Sequence, residues 1–181
     1  MRREDLEHLI RAAGAISGSR QLIIIGSQSI LGQFPDGAPA RALLSMEADL
    51  IPLDALDKAD LLTGSIGELS PFHETFGYYG DGVSMQAACL PEGWQQRLVP
   101  IDNANTRGYV GLCLEVHDLL ISKYVAGRYK DHEFCAAVVQ AGLVDQQQLY
   151  TRLEQTDLAD AARERIRQRI VSGFALERPT Q

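Results

Sequence analysis

Much of what would mark this 181-residue chain as specialised is missing from it. Its three cysteines, Cys89, Cys113 and Cys135, are far apart, form no CxxC pair and sit among apolar neighbours. That argues against a zinc ribbon or a disulfide framework and predicts reduced core thiols. No apolar run approaches the ~20 residues that span a bilayer. Met1–Arg11 is charged and helical in pattern rather than leader-like, so the expected location is cytoplasmic, with no membrane partner. Positive charge is scarce: 17 Lys and Arg stand against 24 Asp and Glu, a net charge of −7. This balance argues against a general nucleic-acid coat protein and leaves only a local basic face open. Neither the GxxxxGK[ST] spacing of a P-loop nor the GxGxxG of a Rossmann turn occurs, which makes those nucleotide folds poor candidates. There is no low-complexity tract, internal repeat or long linker.

What remains is 45% hydrophobic and long enough to bury a core in one compact unit. Leu6, Leu9, Ile10, Ala13 and Ile16 recur at helical spacing, and Gly18 ends that helix. Gln21–Ile25 carries four consecutive aliphatics, the pattern of a central strand covered on both faces. It stops at Gly26-Ser27, where serine can cap a short helix and free N–H groups offer a small anion site. A loop at Phe34–Pro39 leads to MEADLIP, closed by Pro52. Helices are expected at Asp54–Leu62 and Ser70–Phe76. Tyr78–Leu90 reads as a hairpin turning at Gly80-Asp81-Gly82, with strands following at Arg97–Ile101 and Tyr109–Leu114. From Val116 the pattern becomes all helical: Val116–Gly127, Lys130–Ala141, Asp145–Glu154 and Asp157–Phe174, with Glu177–Gln181 fraying. The expected class is α/β, a small mixed sheet with a helical C-terminal third. The parts are 1–115 as the α/β core and 116–176 as a helical part packed on it.

Three stretches carry chemistry. In MEADLIP, strand periodicity puts Glu47 and Asp49 on one side and Met46, Ala48 and Leu50 on the other. Neighbouring carboxylates repel unless a cation lies between them, and beside a Gly-Ser turn they suit magnesium held against a phosphate. The plain alternative is two solvated charges on an edge strand. Gly26-Ser27 is either a phosphate-binding turn or a strand-to-helix turn that needs a small residue. In HDLLISKYVAGRYKDHEF, Asp118, Lys123, Arg128, Lys130 and Asp131 cluster about Gly127; they either reach a triphosphate or form a salt-bridged corner. His73, His117 and His132 lack metal-ligand spacing. Arg163, Arg165, Arg167 and Arg169 charge the last helix; a solvated face is the plain reading, RNA or a protein partner the other.

In order, these stretches resemble the nucleotidyltransferase fold of the DNA polymerase beta superfamily: a strand, a Gly-Ser turn into a helix, then acid-x-acid on the next strand. The Asp118–Asp131 block resembles the D-x-x-x-x-K and R-x-K-D elements of the abortive-infection nucleotidyltransferase toxins. GSQSILG, SMEADLIP, ELSPFHETFGYY, LPEGWQQRLV and DLLISKYVAGRYKDHEF together resemble a bacterial nucleotidyltransferase-like family across roughly residues 20 to 145. The resemblance implies metal-dependent transfer of a nucleotidyl group from an NTP to an RNA, protein or small-molecule acceptor. Glu47 and Asp49 would be catalytic and hold Mg2+ or Mn2+; Gly26, Ser27, Lys123, Arg128 and Asp131 would bind the nucleotide. The toxin likeness implies an antitoxin-like protein partner. Two departures are visible: the first metal acid is Glu, not Asp, and no third acid has a clear counterpart. Asp81 and Asp102 are the substitutes on offer, and neither matches by spacing. Without a third acid, a nucleotide- or partner-binding member that no longer catalyses is the alternative.

Overall fold

A computed structural model gives the fold and describes residues 1–175. Within these residues lie eight α-helices and one five-stranded sheet. The elements are α1 (Arg3–Ser17), β1 (Gln21–Ile25), α2 (Ile30–Gln33), β2 (Glu47–Pro52), α3 (Ala59–Ile66), α4 (Pro71–Phe76), β3 (Tyr79–Gly82), β4 (Val99–Ile101), β5 (Val110–Cys113), α5 (Val116–Ala126), α6 (Tyr129–Gln140), α7 (Gln146–Glu154) and α8 (Asp160–Ala175). The order across the sheet is β3-β2-β1-β5-β4. β1 runs antiparallel to β2 and parallel to β5; β2 and β3 are parallel, β4 and β5 antiparallel. The sheet is therefore mixed, as expected. β1 lies at its centre with Leu22, Ile23, Ile24 and Ile25 all buried, which is why that run is uninterrupted.

Three sequence readings are corrected here. The segment around Gly80-Asp81-Gly82 is no hairpin turn; it lies inside β3, paired with β2 through Glu47↔Tyr79 and Asp49↔Asp81. These glycines supply room, not turn geometry. A β-carbon at Gly80 would press on Leu50 Cδ1 at 2.7 Å, and one at Gly82 would overlap the Ala59 backbone. β2 is also not an edge strand, since β1 and β3 flank it. Arg97 stands in a 3-10 turn (Trp94–Arg97), so the fourth strand begins only at Val99. The expected fraying of Glu177–Gln181 falls outside the described residues.

Local chemistry sets the helix ends. Gly18 closes α1 at φ +75°, its N–H bonded to Gly14 O at 2.8 Å. Ser70 caps α4, Glu115 caps α5 and Asp145 caps α7 by accepting backbone N–H groups. Serine capping after β1 does not occur: Ser29 Oγ instead donates to Ile24 O at 2.6 Å. One apolar core joins Leu6, Leu9 and Ile10 of α1 with the sheet and with Leu120, Val138, Leu149, Leu153, Ile166 and Ile170 of the later helices. Each such side chain contributes about 1.5–3 kcal/mol by burial.

Asp118 ties this helical part to the sheet. It is fully buried; its oxygens accept from Arg97 Nε at 2.8 Å and Arg97 Nη2 at 3.0 Å, and Arg152 Nε lies 3.1 Å from Oδ1 as an ion pair without a hydrogen bond. That joins α5 to the turn before β4 and to α7, away from the Gly127 corner where the sequence grouped it. Asp118→Asn should destabilise the protein by about 3 kcal/mol, because it leaves two poorly solvated guanidiniums uncompensated. Urea melts should register the loss.

Candidate functional site

At the C-terminal end of β1 the chain turns sharply through Gly26, at φ +78° and ψ −169°. Only glycine suits this position, for two reasons. The positive φ disfavours any side chain, and a β-carbon there would overlap Asp49 Oδ2. The carboxylate of Asp49 therefore rests against the bare α-carbon of Gly26, which follows from the pairing of Ile25 with Asp49 across β1 and β2.

Glu47 and Asp49 point to the same side of β2, and a cleft of about 350 Å³ opens before them. Gly26, Ser27 and Ser45 line it with the acids. Ser122, Lys123, Val125 and Ala126 of α5 form the opposite wall, continued by Arg128 and Lys130 at the start of α6; Ala87, Ala88 and Cys89 form a third side. Six of the seven residues expected at a site thus share one cleft: Gly26, Ser27, Glu47, Asp49, Lys123 and Arg128. Asp131 stands behind the wall, 1% exposed. It accepts Arg128 Nε at 2.7 Å, Arg128 Nη2 at 3.2 Å and Lys123 Nζ at 3.3 Å. It also takes the backbone N–H of Arg128, which closes the first turn of α6. Burial would raise its pKa, yet the hydrogen bonds from Arg128 and the charge of Lys123 hold it below the ordinary carboxylate value. Asp131 thus aims two cations at the cleft without touching it.

Of the two substitutes for a third acid, Asp81 is the one that lies near Glu47 and Asp49. Its register with Asp49 puts both on one face of adjacent parallel strands. Asp102 lies at the other end of the sheet, since Ile101 pairs with Gly111 and Gly111 with Leu22. There it lines a separate groove with Arg20 and Asp54. Asp81 Oδ1 is buried against the turn at Gly67 and lacks a hydrogen-bond partner among the described residues. Burial, together with the charges of Glu47 and Glu68, raises its pKa. Asp49 is pushed up to about 6, first by burial and then by Glu47, with Asp81 adding and Lys123 opposing. Among the described residues no three His, Cys, Asp or Glu side chains converge into a ready-made metal cage. Glu47 and Asp49 supply a two-carboxylate site with Asp81 alongside.

A family model described as "Nucleotidyltransferase of unknown function (DUF6036)" matches residues 4–177. The chain belongs to this family. Neither the curated proteins nor the solved structures contain a match to it. The matched span covers nearly the whole chain and so takes in the residues of the cleft along with the rest. No helix among the described residues is long and apolar enough to cross a membrane. The residues that sequence reasoning missed are Ser45, Ser122 and the Ala87–Cys89 wall. They are small, lie on loops or helix flanks and carry no periodic signal; Cys89 is half-buried at the cleft rather than in the core.

Two outcomes follow from this geometry. A carboxyl raised to about 6 in the folded chain and ordinary when unfolded favours the native state only while protonated. Without metal, the contribution of Asp49 to stability therefore falls as pH rises from about 4 to about 6, then levels off. Asp49→Asn should be more stable than the parent at pH 7.5 in EDTA by about 1 kcal/mol, after discounting for solvent screening. Melts at stepwise lower pH should show the difference closing. Gly26→Ala should destabilise by about 1 kcal/mol or more through the positive φ alone, and should weaken any function that depends on the Asp49 position.

Proposed function

We propose that the protein is a metal-dependent nucleotidyltransferase that moves a nucleotidyl group from an NTP to an RNA, protein or small-molecule acceptor. One observation carries this reading: Glu47 and Asp49 share a single cleft with Lys123, Arg128 and the Gly26-Ser27 turn, and Asp81 stands in register with Asp49 on the next strand, outside the lining of that cleft.

The donor set fits magnesium or manganese. Both prefer carboxylate oxygens, and magnesium is commonly held by one or two carboxylates plus substrate phosphates rather than by a complete protein cage. A carboxyl raised by burial and by a neighbouring carboxylate, as Asp49 is, would be relieved by a cation. When bound, such an ion would neutralise the phosphate charge that develops during in-line displacement. The chain's own groups would do the rest. Lys123 and Arg128, fixed by Asp131, would clamp the triphosphate. Gly26 would let the phosphates approach the backbone. Asp81, held high by burial and by neighbouring acids, would accept the proton of the acceptor hydroxyl. The likeness of the Asp118–Asp131 block to the abortive-infection toxins supports, by that resemblance alone, a toxin-like role with an antitoxin-like partner.

The test separates binding from transfer. Calorimetry with NTP and magnesium should show binding that Asp49→Asn abolishes, with affinity rising as pH climbs through about 6 because the metal must displace the Asp49 proton. Arg128→Ala should weaken triphosphate binding by about tenfold (roughly 1.4 kcal/mol) and leave nucleoside binding unchanged. In transfer assays with α-labelled NTPs, magnesium and bacterial RNA or protein, Asp81→Asn should lower labelling by about 100-fold, the scale of general-base loss, and spare binding. Metal-dependent binding without transfer to any acceptor would instead support a nucleotide-binding member that does not catalyse.

A further inference from the structure

The four arginines of α8 occupy alternate positions, and the fold treats them as two pairs. Arg163 and Arg167 turn toward α7, where both meet Glu154; the Arg163 Nη1–Oε2 distance is 3.2 Å. Arg167 also lies over the Tyr150 ring, 5.4 Å from its centroid. Arg165 and Arg169 lie on the other side of the helix. With Gln168 and Ser172, one and two turns along the same face, they line a groove of about 360 Å³. Its far wall is Tyr124 of α5 and His132, Cys135 and Ala136 of α6.

The lining of this groove holds no carboxylate. It offers two guanidiniums, an imidazole, a carboxamide and two hydroxyls. Among the described residues neither Arg165 nor Arg169 pairs with an acid, whereas Arg163 and Arg167 both do. Arg169, though exposed, donates to the Tyr124 carbonyl at 3.4 Å, near the C-terminus of α5. In a chain of net charge −7, two unopposed arginines converging on one groove are a local reversal of sign.

We propose that this groove is an anion subsite, separate from the Glu47–Asp49 cleft, that takes a phosphate group. A guanidinium presents paired N–H donors that match two phosphate oxygens, which an ammonium cannot do. Residues four apart on a helix stand about 5–6 Å apart at Cβ, so Arg165 and Arg169 can grip one phosphate or two successive ones. His132 supplies a further ring N–H, whereas the Gln168 amide already donates to Glu164 Oε1 at 3.1 Å and the Ser172 hydroxyl to Gln168 O at 2.9 Å. The two basic surfaces also adjoin: α6 contributes Arg128 and Lys130 to the cleft and His132 to the groove, and Arg169 Nη1 packs beside Gly127, the residue before Arg128. The phosphate could belong to an RNA strand that continues toward the cleft or to a free phosphate compound, since both present the same oxygens.

The experiment uses the full chain in EDTA with two probes: inorganic phosphate, and a labelled single-stranded RNA of about ten nucleotides. Arg165 is solvent-exposed, so R165Q and R165E should fold, as a thermal melt can verify. R167Q removes the same charge from the same helix at an acid-paired position and serves as the control. For whichever probe binds, R165Q should lower affinity by about threefold or more and R165E further, with the RNA salt slope reduced by about 1. R167Q should leave both probes bound as in the parent. Loss confined to the RNA assigns the phosphate to a strand; saturable phosphate binding that RNA does not displace assigns it to a free compound. Binding unchanged in R165E, equal losses in R165Q and R167Q, or no binding of either probe would each overturn the subsite. NTP binding in magnesium, measured in parallel, tests the cleft through Asp49 and not through Arg165, so the two readings fail separately.

Discussion

The constraint on which the candidate site depends is the enforced crowding of carboxylates on one sheet face. Glu47 and Asp49 repel each other, and Asp81 in register adds to that repulsion. Backbone pairing to β1 and β3 holds all three in place, since hydrogen bonds on both sides of β2 leave the acids no route apart. The apolar side of β2, through Ala48 and Leu50, is sealed into the core and supplies the energy that tolerates the charge on the other side. This is a small reservoir of unfavourable electrostatics at one spot of a well-packed fold, the kind of arrangement that marks functional sites.

The opposite wall shows the reverse arrangement. There a buried acid serves its neighbours: Asp131 neutralises and orients Lys123 and Arg128, leaving their remaining hydrogen-bonding capacity toward the cleft. Lys123 is further held near the ring of Phe134, 5.5 Å from its centroid. Asp118, five residues before Lys123, looks equivalent in sequence and does different work, holding α5 onto Arg97 and Arg152. Two aspartates of one motif thus divide between positioning a site and anchoring a helix.

Glycine illustrates how one residue type carries unrelated messages. Gly26 needs its positive φ and its empty β-position together, because Asp49 occupies that space. Gly80 and Gly82 need only space, for Leu50 and for the backbone of α3. In sequence, Gly80-Asp81-Gly82 has the composition of a tight turn. Only pairing with β2 reveals it as a strand that sets Asp81 beside Asp49.

The sequence by itself determined what local periodicity and chemistry can determine. The four-aliphatic run predicted a central strand, alternation put Glu47 and Asp49 on one side of a strand, and helical spacing found α1 and the four late helices. The α/β class and the nucleotidyltransferase likeness followed from the order of those pieces. Tertiary structure decided everything that depends on strand neighbours, because register and pairing join residues with no fixed separation in the chain. It put β2 inside the sheet, brought Asp81 level with Asp49 across 31 intervening residues and left Asp102 at the far end. It also sorted Lys123 and Arg128 from Asp118, and Arg165 from Arg163. Charge alone carries no direction; which way a charged side chain faces is set by the apolar surface that its element must bury.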